Sequence, residues 1–163
     1  MKVEDIMNRA VASCLPAMNL AEASALMWEY DCGALPVMTQ TGELAGIVTD
    51  RDICIALGTR NVQPSLLTVR EVFKDHPAVC RTGDDIDSAL KTMRERKVRR
   101  LPVLGESMQL QGILSIDDVL LNARRSAGGG PSFISHDDVI ETLQAICARA
   151  RYLSKEAAAA VAA

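Results

Sequence analysis

Leu35-Pro36-Val37 recurs as Leu101-Pro102-Val103, and the step from position 36 to position 102 sets an offset of 66 residues. The same shift lays Val3 on Val69, Ala23 on Ala89, Met27 on Met93, Gly46-Ile47 on Gly112-Ile113 and Asp52 on Asp118, with no gap needed anywhere between residues 3 and 57. A match that runs through segments of every type means that one structural unit occurs twice, so a site formed by one copy has a pseudo-symmetric counterpart in the other.

Working outward from the two Leu-Pro-Val triplets, each copy reads in the same order. Val3, Ile6 and Met7 form a short amphipathic entry, and an extended segment at 11–15 follows, closed by Pro16. Copy two repeats this with Val69, Val72 and Phe73, then residues 78–81. A helix comes next, with Ile86, Ala89, Leu90 and Met93 spaced i, i+3, i+4, i+7 and matched by Leu20, Ala23 and Met27, which predicts a core-facing stripe. The triplet itself predicts a short strand. Proline inside it implies an edge strand or an interrupted ladder, leaving backbone groups free to meet something else, a ligand among the candidates. Thr41-Gly42-Glu43 predicts a turn, residues 44–49 and 110–115 a second strand, and residues 50–57 and 116–123 a closing helix, the first ended by Gly58.

These units divide the chain at 1–62 and 63–125. Ser126-Ala127-Gly128-Gly129-Gly130-Pro131-Ser132 opens a linker over 126–134, and its glycines lack the lysine and hydroxyl that complete a phosphate loop. The remainder, 135–163, predicts a helix that starts at a Ser135/Asp138 capping box and carries Val139, Ile140, Leu143, Ile146 and Cys147 on one stripe. That stripe must dock, on its own repeat pair or on a second chain. The run at 157–163 is low in complexity.

At 163 residues the chain suits two half-domains that bury their sheets together. A net charge of −3 and a pI near 5.4 argue against nucleic acid as the main partner. No stretch approaches the roughly 20 apolar residues that span a bilayer, and no leader pattern opens the chain, so a cytoplasmic protein without a membrane partner is expected. Cys14, Cys32, Cys54, Cys80 and Cys147 are odd in number and lack C-x-x-C spacing, with only His76 and His136 to join them. Neither a disulfide framework nor a metal site is expected. Cys14 and Cys80 are repeat equivalents, which suits either a paired redox role or two small buried hydrophobes.

The sharpest local feature is Gly46-Ile47-Val48-Thr49-Asp50-Arg51-Asp52, echoed as Gly112-Ile113-Leu114-Ser115-Ile116-Asp117-Asp118. A hydroxyl and a carboxylate three positions on straddle a strand-to-helix junction. Helix starts favour anions such as phosphate, and a carboxylate suits paired ribose hydroxyls, so the combination describes a nucleotide. The same spacing is also that of a helix capping box.

With both motif sets in view, residues 3–123, roughly three quarters of the chain, resemble a tandem pair of CBS domains, or Bateman module, and are similar to small stand-alone bacterial CBS-pair proteins. The carriers are Val3-x-x-Ile6-Met7, Gly33-Ala34-Leu35-Pro36-Val37, Val98-Arg99-Arg100-Leu101-Pro102-Val103 and the two Gly-to-Asp motifs. The resemblance implies an α+β fold: two β-α-β-β-α repeats packed through their sheets with pseudo-two-fold symmetry, here followed by a C-terminal helix. It also implies a cleft for AMP, ADP, ATP, NAD or S-adenosylmethionine, bound as a regulatory ligand with no required cofactor. By position, Thr49 and Ser115 would contact phosphate or ribose, and Asp52 and Asp118 the ribose hydroxyls. Adenine would lie against Ala12, Ser13 and Cys14 or Ala78, Val79 and Cys80, and against Ala34, Leu35 and Pro36 or Leu101 and Pro102. Arg99 and Arg100, with Arg51, would face phosphate; alternatively they belong to a solvated basic patch with Arg94, Arg96 and Lys97. The copies differ where Gly33 and Ala34 face Arg99 and Arg100.

Three functions follow from these readings. The first is a non-catalytic sensor that passes a ligand-driven change to an unknown downstream protein or across a homodimer. The second is a purely structural dimerisation module in which the carboxylates only cap helices. The third, an enzyme acting on nucleotides, lacks any recognisable triad, Walker lysine or G-x-G-x-x-G.

Overall fold

Two three-stranded sheets carry the 66-residue offset into space. In the computed structural model, which describes residues 1–124 and 134–148, α1 (Leu20–Glu29), β1 (Ala34–Met38), β2 (Leu44–Thr49) and α2 (Asp50–Arg60) form the first copy. β3 (Lys74–Asp75) and β4 (Cys80–Arg81) follow, then α3 (Ile86–Arg96), β5 (Arg100–Leu104), β6 (Leu110–Ser115), α4 (Ile116–Asn122) and α5 (His136–Cys147). The expected linker glycines and the alanine-rich run at 157–163 lie outside the described residues. Among the described residues no helix is long and apolar enough to cross a membrane.

β1 pairs antiparallel with β2, Pro36 opposite Ile47, and β5 with β6, Pro102 opposite Ile113. Each pair breaks register at the same place, after Val37 and after Val103. Pro36 is no edge residue, since β2 flanks it on one side and Cys14 bridges to Val37 on the other. It interrupts the ladder instead. The Cys14 N–H donates to the Pro36 carbonyl at 3.0 Å and the Met38 N–H to the Cys14 carbonyl at 2.8 Å, but the next rung, from residue 36 to the Ala12 carbonyl, has no donor.

The entry segments are exchanged between the copies. Val3 and Met7, at the head of copy one, are buried in the core of copy two with Leu90, Met93, Leu101 and Leu114, while Val69 is buried in the core of copy one with Leu20, Leu35, Val37 and Val48. Hydrogen bonds follow the same rule: Val3 N–H to Asp84 O (3.0 Å) matches Val69 N–H to Met18 O (2.8 Å), and Glu4 to Thr82 matches Arg70 to Pro16. Asn8 pairs with Ile113, as Lys74 pairs with Ile47. The two copies are thus related by a pseudo-two-fold exchange, and neither core closes without residues from the other copy.

Gly46 and Gly112 are the positions where the exchanged segments cross a sheet. A Cβ on Gly112 would stand 2.7 Å from the Asn8 carbonyl, and one on Gly46 would run into the Phe73 ring and the Lys74 carbonyl. A hydrogen is the only side chain that fits.

Among the described residues every α-helix but α3 starts on a reciprocal cap. Asn19 with Glu22, Thr49 with Asp52, Ser115 with Asp118 and Ser135 with Asp138 each form a capping box. The stripe expected on α3 is buried throughout. Two expectations are corrected. Gly58 does not end α2, which runs on until Asn61 takes the left-handed conformation at φ 50°; asparagine tolerates that conformation, and a mid-helix glycine is only a modest cost. The expected α5 stripe holds at Val139, Leu143 and Ile146, which pack on the core with Thr142 buried beside them, whereas Ile140 and Cys147 are exposed because they lie together on the helix flank turned away from the core. Its docking partner is the same chain: α5 lies on α3 and α4, and the buried Thr142 hydroxyl donates to the Asp138 carbonyl (2.7 Å) and accepts from Arg94 (3.0 Å).

Gly58 is exposed, and an added Cβ would meet nothing within 4 Å. Gly58→Ala therefore raises stability by about 0.5–1 kcal/mol in chemical denaturation, through helix propensity alone.

Candidate functional site

A cavity of about 200 Å³ opens where the two copies meet, lined by residues 8 and 10–12, by Tyr30, Asp31, Cys32 and Ala34, and by Arg100, Ile113, Ser115, Asp117 and Asp118. Its position follows from the exchange. Asn8 is tied to Ile113 by a reciprocal pair of 2.9 Å hydrogen bonds, which lays residues 10–12 of copy one beside the β6–α4 junction of copy two. Ala12 brings the carbonyl that Pro36 leaves without a ladder donor. Asp31 turns the chain out of α1 in the left-handed conformation, φ 47°.

The carboxylates at both junctions also close the helix caps. Asp118 Oδ2 accepts from the Ser115 hydroxyl (2.6 Å) and the Ser115 N–H (2.7 Å), while the Asp118 N–H returns to the hydroxyl at 3.1 Å. Thr49 and Asp52 repeat this at 2.6, 3.3 and 3.2 Å. In both cases the second carboxylate oxygen stays outside the cap. At Asp52 it is taken: Oδ1 accepts from Lys74 Nζ at 2.6 Å. Among the described residues, Asp118 has no ion pair.

That difference traces to one repeat position, because Asn8 stands in copy one where Lys74 stands in copy two. Burial works to raise the Asp52 pKa, but its bonds to Lys74 and Thr49 and the charge of Lys74 outweigh it and hold the carboxyl below its ordinary value.

Of the first three amides of α2, all are used internally: Asp50 N–H goes to the Gly33 carbonyl (3.2 Å), Arg51 N–H to the Asp50 carboxylate (2.6 Å) and Asp52 N–H to Thr49. In α4, Ile116 N–H goes to the Arg99 carbonyl (2.9 Å), and Ile116 has no carboxylate to occupy the next amide.

Ala12, Ala34, Arg100, Ser115 and Asp118, picked out from the sequence, all line the cavity. Thr49, Asp52 and Arg51 lie at the pseudo-equivalent junction, and Ala78 and Val79 lie between β3 and β4, with Ala78 against the core of copy two. Leu35, Pro36, Leu101 and Pro102 are buried within β1 and β5, Ser13 and Arg99 are exposed, and Cys14 and Cys80 are buried in the two cores. Burial pushes the Cys14 thiol up to about 11, and burial with the charge of Asp84 pushes Cys80 up to about 12, so both behave as small core hydrophobes. Sequence reasoning missed Asn8, Tyr30, Asp31, Cys32 and Asp117. The Asn8/Lys74 mismatch was visible at the 66-residue offset; the Tyr30-Asp31 corner was not, because only the exit direction of α1 carries it to the cleft.

The CBS domain model matches residues 3–59 and again 69–124. The chain belongs to the CBS-domain family. This CBS pair is 32% identical over 139 residues to CBS domain-containing protein YhcV of Bacillus subtilis, across 84% of the chain and 97% of that protein. It is 35% identical over 115 residues to Hypoxic response protein 1 of Mycobacterium tuberculosis, across 71% and 80%. The crystal structure of Hypoxic Response Protein I with two coordinated zinc ions superposes with a TM-score of 0.69 at 31% identity, over 76% of this chain and all of that one. CBSX2 of Arabidopsis thaliana in complex with AMP gives a TM-score of 0.64 at 28% identity, over 74% and 93%. Among the described residues of this CBS pair, no group of three or more His, Cys, Asp and Glu side chains is placed to hold a metal ion.

Because the folded pKa of Asp52 is depressed, its contribution is full above the ordinary carboxylate value near 3.8 and is lost as pH falls through the lower folded value. Lys74→Gln removes the pair, so the variant is less stable by up to about 1 kcal/mol at pH 6–7, and the gap between the two proteins closes as the pH falls below the ordinary carboxylate range. Urea denaturation across that pH range measures it.

Proposed function

We propose that this CBS pair is a non-catalytic sensor: an adenosine-containing ligand enters the cleft between the copies, and the resulting change in their arrangement passes to a partner protein or across a homodimer. The observation that carries the reading is the cavity itself, because it is built from both copies. Its floor is the β6–α4 junction of copy two and its wall is the segment at residues 8–12 of copy one. A ligand held there contacts both halves at once, which is the differential contact that a shift in equilibrium requires. Asp118 has an oxygen outside its cap to accept from ribose hydroxyls, and the Ala12 carbonyl is an acceptor for an exocyclic amine. The AMP complex of CBSX2 supports the choice of ligand class.

At about 200 Å³ the cleft is below the roughly 300–1,000 Å³ of a pocket that encloses a drug-sized ligand. It suits a nucleoside, with whatever the sugar carries lying at the mouth. AMP, ADP, ATP, NAD and S-adenosylmethionine all meet that description. No cofactor is needed for such a role.

The homodimer face we propose is the outer surface of α1 and α2. An open groove of about 510 Å³ runs between them, lined by Met27, Trp28, Ile53, Cys54 and Leu57. Trp28 is 89% exposed. The equivalent face of copy two, α3 and α4, is covered by α5 of the same chain, and Arg94, the counterpart of Trp28, bonds to α5 there. Trp28→Glu turns a dimer into a monomer in sedimentation velocity, with the melting temperature of the monomer little changed.

The purely structural reading has one observation in its favour, the closed capping boxes at both aspartates. Thermal-shift titration with AMP, ATP, NAD and S-adenosylmethionine separates the two. At least one ligand raises the melting temperature with concentration, and Asp118→Ala or Asp52→Ala weakens its apparent affinity by roughly tenfold or more. No shift from any of the four, in protein that melts cooperatively, leaves the structural module.

A further inference from the structure

The 66-residue offset relates the β6–α4 junction to the β2–α2 junction, and the charged residues at corresponding positions differ. At the cleft on the β6–α4 junction, Asp31, Asp117 and Asp118 face a single guanidinium, that of Arg100. At the β2–α2 junction the corresponding positions hold Lys97 for Asp31, Arg51 for Asp117 and Asp52 for Asp118. Lys74 stands there for Asn8 and Arg96 for Tyr30. The correspondence is geometric as well as sequential: Asp31 and Lys97 both turn out of a helix in the left-handed conformation, at φ 47° and φ 54°. Lys74 and Asn8 occupy the same register against Ile47 and Ile113. Of the two carboxylates at the second junction, Asp52 is paired with Lys74 at 2.6 Å and Asp50 accepts from the Arg51 N–H at 2.6 Å.

Charge lining a cleft with low-dielectric walls is felt more strongly than charge on an open surface. A phosphate chain brought to the first cleft meets three carboxylates and one compensating cation. A sulfonium or ammonium there meets an excess of acceptors. At the second junction Arg51, Lys74, Arg96 and Lys97 outnumber Asp50 and Asp52, and Arg51 can pair with phosphate oxygens through its planar fork.

Building on the ligand reading above, we propose that the two clefts of this chain select different adenosine ligands by charge: the β6–α4 cleft takes a cationic adenosyl compound of the S-adenosylmethionine class, and the β2–α2 cleft takes an adenosine phosphate. A ligand arriving at the second cleft draws Lys74 from Asp52 onto phosphate, freeing the carboxylate for the ribose. One chain then reads two chemically distinct signals through the same pseudo-two-fold arrangement.

Isothermal titration with S-adenosylmethionine and with ATP, each alone and each against protein saturated with the other, tests the assignment. Both bind at one site per chain, and saturation with one changes the dissociation constant of the other by less than about threefold. Asp31→Asn, which keeps a residue tolerant of the left-handed turn, combined with Asp117→Asn, weakens S-adenosylmethionine at least about fivefold and leaves ATP unaffected, whereas Lys97→Glu does the reverse. Raising salt from about 50 to about 300 mM weakens ATP more steeply. Competition of the two for a single site, or loss of ATP binding in the Asp31/Asp117 variant, overturns the charge assignment while leaving the sensor intact. Folded protein that binds neither ligand, nor AMP, NAD or adenosine, overturns the sensor reading and this assignment together.

Discussion

The crossing of each entry segment over the other copy's sheet is the constraint on which the rest depends. At Gly46 and Gly112 the backbone of one copy comes so close to the sheet of the other that no side chain fits between them. Because of that contact, Val3 and Met7 fill the second core and Val69 the first. A half-chain ending between the copies would lack part of its own core and carry an exposed apolar segment belonging to the other. The duplication is therefore one cooperative body built from two interlocked units, and the cleft is a by-product of the interlock.

Much of this was legible from residue spacing. The offset predicted two equivalent units, the α3 stripe was read residue by residue, and both strand-to-helix junctions fell where Thr49 and Ser115 implied. The exchange was not legible, for a physical reason: hydrophobic periodicity says that Val3 and Met7 must be buried but not against which of two nearly identical sheets. The same degeneracy hid the cleft's membership. A repeat places Asp118 and Arg100 in one copy, whereas the wall opposite them comes from Asn8, Tyr30 and Asp31 of the other. In α5 the expected Ile140 and Cys147 lie together on one flank, which is exposed, and Thr142 takes the other flank of the buried line at little cost because its hydroxyl is satisfied by Arg94 and the Asp138 carbonyl.

The proline in each triplet carries a similar lesson. Its missing N–H is usually tolerated at a sheet edge, where it faces water. Here Pro36 and Pro102 sit in strands flanked on both sides, and the missing donor falls on the rung toward Ala12 in one copy and Ala78 in the other. In copy one the broken rung opens beside the cavity that Ala12 lines. The same interruption limits the first parallel strand to the Cys14 bridge in copy one and to Cys80–Arg81 in copy two.

Pseudo-symmetry ordinarily makes two sites alike, and here drift has acted on the polar rim while sparing the scaffold. The glycines, prolines, capping hydroxyls and left-handed corners are kept in both copies because the backbone has no alternative at those points. The side chains projecting from the same backbone positions are free to change charge: the sign reverses at Asp31 with Lys97 and at Asp117 with Arg51, and Lys74 adds a charge where Asn8 has none. A backbone that is over-determined by packing and a rim that is not are what allow a duplicated fold to hold two equivalent junctions with different charges.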